Sequence, residues 1–141
     1  MSVASILLPV FVQVALTFVL LMRLGSGRLR TLSAGKTKVR DIALGESNWP
    51  SDVTQVGNCF NNQFQLPMLF YVLVVLALVL HKADLLFVIM SWIFVISRVV
   101  HAGVHITSNN VNQRFAAYTV GMVVLLLMWA IFAVRILFGL A

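Results

Sequence analysis

At 141 residues, 61% hydrophobic and only 10% charged, the chain is excluded from ordinary soluble domains, in which charged residues run at about 25%. A mean hydropathy of +1.01 puts it in a membrane as one domain, residues 1–141, too short for two. Its net charge of +6 is clustered between apolar spans, so it reads as a topology signal rather than a footprint for nucleic acid, and no nucleic-acid partner is expected.

Four spans are predicted. The first, over 3–22, has about 20 residues, enough to cross a ~30 Å hydrocarbon core. It lacks a positively charged leader and a small-residue cleavage site, so it is not expected to be a removable signal peptide. A loop over 24–56 follows, with Arg28, Arg30, Lys36, Lys38 and Arg40, and Arg23 at its edge, against Asp41, Glu46 and Asp52. Trp49, beside Pro50 in this loop, is expected at the headgroup level. The second span covers 58–80, and Pro67, one turn inside it, is expected to kink it and free the carbonyl of Gln63. The tight turn His81-Lys82-Ala83-Asp84 makes an antiparallel hairpin of the second span and the third, 85–105. A short, amide-rich connection leads to the fourth span, 115–134. Arg114 and Arg135 flank that span, and a helix would separate them by about 31 Å; Arg135 reads as an interfacial anchor. The fold class is therefore an all-α membrane protein, a four-transmembrane-helix bundle. The positive-inside rule puts the long first loop in the cytoplasm and both termini on the opposite side.

The polar groups inside these spans are the informative ones. At 100° per residue, Asn58, Asn62 and Gln65 fall within about 60° of one another, and Asn61 widens the face to about 100°. Amides on a spanning helix need partners once water is gone. On the third span Arg98, His101 and His105 share a face about 60° wide. In the antiparallel hairpin the expected layers are Asn58 with His105, Asn61 or Asn62 with His101, and Gln65 with Arg98. Gln13 and Thr17 on the first span read as packing contacts to a neighbouring helix. Cys59, the only cysteine, reads as a small buried residue.

Charge decides what this region is for. All four acidic residues lie in loops, yet Arg98 costs about 3 kcal/mol at mid-helix even on a lenient insertion scale. Amides can accept its hydrogen bonds but cannot neutralise it. A cavity with Arg98 inside and Arg23 and Arg114 at its mouth would take a carboxylate or phosphate from outside the chain. His101 and His105 have neither a carboxylate nor an obvious thiol beside them, so no metal site is expected.

These residues resemble the MAPEG superfamily, the microsomal glutathione transferases and the leukotriene and prostaglandin synthases related to them, in a divergent, bacterial-type form. Asn62-Gln63-Phe64-Gln65-Leu66-Pro67 is similar to the family's Asn-x-x-Glu motif followed by proline. Arg98-Val99-Val100-His101-Ala102-Gly103-Val104-His105 is similar to its Arg-x-x-His-x-x-x-Tyr motif, with Arg114 as the further arginine that opens the last span. The resemblance implies a homotrimer in the lipid bilayer that binds glutathione as co-substrate between subunits near the cytoplasmic face. It assigns thiolate stabilisation, the catalytic role, to Arg114, with a hydrophobic small molecule as electrophile or peroxide. Arg23, Asn58, Asn61, Asn62, Gln65, Arg98, His101 and His105 are the binding residues on this reading. The chain departs from the pattern at Gln65 in place of glutamate, Asn58 in place of arginine and His105 in place of tyrosine.

Two other classes compete. A small multidrug-type transporter also has four short spans, but proton coupling calls for a membrane-embedded carboxylate, and no span carries one. A non-enzymatic membrane oligomer that binds a lipid or another anionic small molecule in the same pocket fits the composition and accounts for Gln65.

Overall fold

The computed structural model describes residues 1–45 and 48–140; Glu46, part of the acidic complement of the first loop, lies outside them. Among the described residues there are five α-helices: α1 (Val3–Ser33), α2 (Ser51–Asn61), α3 (Leu66–Val79), α4 (Leu85–Ile106) and α5 (Val111–Leu137). A single 3-10 turn, Asn62–Phe64, joins α2 to α3. The two make one run, Ser51–Val79, so among the described residues four helical units are long and apolar enough to cross a membrane.

The kink expected near Pro67 is a full interruption. Gln65 leaves helical geometry at φ −101° and ψ −107°, and α3 restarts at Leu66 with Pro67 in its first turn. There the missing proline N–H is one that has no intrahelical partner in any case.

The helices overrun their expected spans at the end that carries the basic residues. α1 continues to Ser33, so the stretch from Leu24 that was expected to be loop is helix. At 31 residues it is about 46 Å long, well over the hydrocarbon thickness. Leu20, Leu24, Gly27 and Thr31 form its buried stripe, a continuing helical period that the arginines between them obscure. Gly27 faces Val53 of α2, which with Leu24 and Val56 makes a small apolar cluster. That packing is why α2 starts at Ser51, ahead of the expected Asn58. Arg28 lies over the Trp49 ring, 5.0 Å from its centroid, and ties the loop back to α1.

The bundle is apolar on the outside, with Phe11, Phe18, Val75 and Leu126 among its exposed residues, as a lipid-facing surface requires. Inside, it divides by depth. The half toward the α3–α4 turn is an apolar core that includes Phe70, Leu73, Phe94 and Met128. The other half buries Gln13, Gln63, Arg98, His101 and His105.

α4 packs most extensively on α5 and next on α1. The backbones come close at Gly121, where an added Cβ would sit 2.6 Å from Ser97 Oγ and 3.5 Å from Arg98 Cδ. α3 and α4, expected to pair as a hairpin, meet chiefly across the core, through Phe70 and Phe94 at 4.8 Å between ring centroids. At the turn between them Asp84 caps α4 by accepting from the Phe87 N–H at 2.9 Å. Arg135 Nη2 lies 2.7 Å from Asp84 Oδ2, so Arg135 ties α5 to this turn instead of standing alone as an interfacial anchor.

Candidate functional site

A cavity of about 600 Å³ opens where α2 breaks, beside the end of α4 and the start of α5. Its wall on the α2 side is Asn58, Asn61, Asn62 and Gln65. The 3-10 turn tightens the chain between these positions, yet all four amides stay on one wall. His101 and His105 come from α4, and Arg114 from α5. Seven of the nine residues expected from the sequence are thus brought together.

The other two are not on this wall. Arg23 lines a separate groove of about 470 Å³, with Arg30, Asp52 and Gln55 among its neighbours. Arg98 is fully buried behind the cavity. Its stem lies along Gly121 and its guanidinium lies 5.2 Å from the ring centroid of Tyr118. Among the described residues none of the three guanidinium nitrogens has a hydrogen-bond partner.

The contacts between α2 and α4 do not follow the expected layers. Asn62 Nδ2, not Asn58, lies at His105, 3.5 Å from Nδ1, and Gln55 Nε2 donates to the His105 carbonyl at 2.6 Å. Deeper in, Cys59 Sγ lies 3.9 Å from the Ala102 carbonyl. Gln65 stands on the cavity wall, and Arg98 has no hydrogen-bond partner among the described residues, so the expected pair is not formed. Gln63 is spent elsewhere: its Oε1 accepts from Gln13 Nε2 at 2.8 Å, and its own Nε2 donates to the Cys59 carbonyl at 3.2 Å. The expected layers assumed an α-helix through 62–65, and the chain there is not α-helical.

The α5 side is built by its N-terminus. Asn110 caps the helix, accepting from the N–H groups of Asn112 and Gln113. Asn109 takes the left-handed conformation, φ 50°, which asparagine tolerates better than most residues. Its side-chain oxygen accepts from Arg114 Nη1 at 2.5 Å. The Arg114 carbonyl faces His101 Nδ1 at 3.0 Å. A carbonyl only accepts, so Nδ1 carries the hydrogen, and in the neutral ring the lone pair is left on Nε2. That nitrogen is buried without a partner. The His101 ring also packs against His105 and Tyr118, with centroids 5.5 and 5.6 Å away.

Tyr118 and Phe115 complete the wall and are not among the residues expected from the sequence. Tyr118 lies four residues after Arg114, on the same helical face, a spacing that could have found it.

Residues 6–134 match the MAPEG family. The chain belongs to this family. No curated protein and no solved structure gives a match. Membership makes this MAPEG protein an integral, multi-pass membrane protein of a family of membrane glutathione transferases and eicosanoid-related enzymes, which generally use glutathione.

Proposed function

We propose that this MAPEG protein binds glutathione in the α2–α4–α5 cavity and holds its thiol as a thiolate against Arg114, for attack on a hydrophobic electrophile or peroxide arriving from the bilayer. One observation carries the reading. Arg114 stands on the cavity wall, its side chain is bonded to the neutral amide of Asn109, and no carboxylate lines the cavity among the described residues. Its charge is therefore free for an anion.

A thiol of pKa about 8.5 is mostly protonated at neutral pH, and only the thiolate is nucleophilic. A guanidinium within ~4–6 Å lowers such a pKa by roughly 1–3 units. Arg114 lies in the first turn of α5, where the helix dipole acts in the same sense. His105 serves as a hydrogen-bond donor to the sulfur. The amides of Asn58, Asn61 and Asn62 offer donors and acceptors to the peptide groups of glutathione, and the Gln65 oxygen accepts from its ammonium group. Sulfur then bonds to the electrophilic carbon as the leaving group departs with the electron pair. On this reading the cavity faces the cytoplasm, where glutathione is supplied, and lies between protomers of a homotrimer.

Adding glutathione to the detergent-solubilised protein at neutral pH is expected to produce the ultraviolet thiolate band, and Arg114→Ala to lose it while keeping the helical fold. A wild-type protein with neither the band nor conjugation of a generic electrophile defeats the proposal. The second reading, a non-enzymatic oligomer holding a lipid or other anion, is favoured by Gln65 on the cavity wall where the family carries glutamate. Mass spectrometry of small molecules that copurify in mild detergent separates the two.

A further inference from the structure

Four of the six buried side-chain polar atoms without partners among the described residues belong to two neighbouring residues, the other two being Gln13 Oε1 and Trp129 Nε1. All three Arg98 guanidinium nitrogens and His101 Nε2 lack hydrogen bonds, and both residues pack against Tyr118. A cation–π contact is worth about 2 kcal/mol when desolvated. An unpaired buried ion costs several kcal/mol. The Tyr118 ring alone therefore leaves Arg98 undercompensated.

Tyr118 belongs to two places at once. Its ring covers the guanidinium, and the same side chain is half-buried on the cavity wall. The cavity, at about 600 Å³, has room for the ring to swing into. The Arg98 stem lies against Gly121 and the whole side chain is buried. The guanidinium is thus a buried cationic group with the Tyr118 ring, itself on the cavity wall, over it.

We propose that Arg98 under Tyr118 is a second, latched anion subsite: the ring caps the guanidinium until a carboxylate of the bound ligand displaces it and takes its place. The inference rests on the reading of the cavity as an anion site, and it narrows the ligand class. The ligand carries at least two acidic groups, one answered by Arg114 near the opening and one by Arg98 beneath the wall. A carboxylate there makes charge-assisted hydrogen bonds that the π-face cannot. Ligand binding and Tyr118 movement are then one event.

The chain has two tyrosines, Tyr71 and Tyr118, so fluorotyrosine labelling gives two fluorine resonances, with Tyr118→Phe assigning them. Tyr71 packs against the apolar core and serves as the internal control. Two probes are titrated into the detergent-solubilised full chain: glutathione, and formate as a carboxylate small enough to reach Arg98 without the rest of the cavity. The expected result is a shift of the Tyr118 signal with both, no shift of Tyr71, and no response to glutathione diethyl ester. Arg98→Gln is expected to abolish the response and weaken glutathione binding about tenfold or more. Should Arg98→Gln fail to fold, Arg98→Lys keeps the charge without the planar fork and is expected to give a weakened shift. A Tyr118 signal indifferent to both probes overturns the subsite, as does an unchanged response in Arg98→Gln. Calorimetric binding of glutathione with a silent Tyr118 also sinks the latch, while sparing the glutathione reading. A formate response without glutathione binding does the reverse.

Discussion

The guanidinium of Arg98 lies 5.2 Å from the centroid of the Tyr118 ring, and among the described residues it has neither an ion pair nor a hydrogen bond. A charge so placed is not there for stability. Exchanging a buried, poorly compensated ion for an apolar side chain of similar volume is neutral or stabilising by about 1–4 kcal/mol. Arg98→Leu is therefore expected to insert normally and to melt in detergent no lower than the wild type, while losing affinity for glutathione. A large drop in melting temperature would mean that the guanidinium has a structural partner and that its charge is already answered.

Gly121 is where α4 and α5 close on each other. An added Cβ there meets Ser97 Oγ at 2.6 Å, a hydroxyl already committed to the Phe94 carbonyl at 2.6 Å. Gly121→Ala removes the helical glycine penalty of about 1 kcal/mol but forces Ser97 to turn away. Gly121→Leu cannot be absorbed and pushes α5 off the Arg98 stem. The expected order of thermal stability is wild type near alanine, with leucine lower by about 1–3 kcal/mol. The double variant Ser97→Ala, Gly121→Ala should be the most stable of the set, and a double variant no better than Gly121→Ala alone removes the clash from the account.

The membrane fold and the composition of the site were legible in the sequence for different reasons. Long uncharged runs have few structural alternatives, so the four crossings follow from hydropathy. The amide stripe and the face shared by His101 and His105 follow from helical period, and both reach the cavity. Register was not legible. Pairing Arg98 with Gln65 assumed a continuous helix through Asn62–Phe64, where the chain makes a 3-10 turn; Gln65 lines the cavity, while Arg98 has no hydrogen-bond partner among the described residues. Arg23 was grouped with the site by its depth alone. Depth does not say which side of α2 a residue of α1 faces, and Arg23 faces the other groove.

Gln13 and Gln63 tie α1 to the α2–α3 break through one buried hydrogen bond of 2.8 Å. Side-chain hydrogen bonds between membrane helices contribute about 0.6 kcal/mol on average and up to ~1.7. Removing one partner also leaves the other buried amide unsatisfied. Gln13→Leu and Gln63→Leu are each expected to lower stability by about 1–2 kcal/mol, and the double variant to recover part of that loss. Strict additivity in a double-mutant cycle would show that the two side chains are not coupled.

The basic residues from Arg23 to Arg40 flank Ser33, the last residue of α1. If this end faces the cytoplasm, a cysteine introduced at Ser33 on a Cys59→Ala background should react with a membrane-impermeant thiol reagent only after cells are opened. Labelling of intact cells would reverse the orientation and move the cavity away from the glutathione supply.

Acid sensitivity should come from the opposite end of the bundle. The hydrogen bond from Arg135 holds the Asp84 carboxyl below its ordinary range, and the Phe87 N–H at the start of α4 adds to this against partial desolvation. A carboxyl with a depressed native pKa binds fewer protons folded than unfolded. Its stabilisation is therefore fully present above the unfolded value of about 3.9 and is lost as pH falls through the lower native value. The pair is partly exposed, with 21% of the Arg135 and 44% of the Asp84 side chain accessible, so screening limits it to about 0.5–1 kcal/mol. Asp84→Asn keeps a side chain able to cap α4 and removes the titrating group. Wild type is expected to exceed this variant in melting temperature from pH 7 down to about 4 and to converge with it at lower pH, whereas Arg135→Gln should lose the same advantage at neutral pH. Other carboxyls titrate in both proteins and cancel in the comparison. A difference between wild type and Asp84→Asn that persists undiminished at pH 2 would assign the stabilisation to the cap rather than to the ion pair.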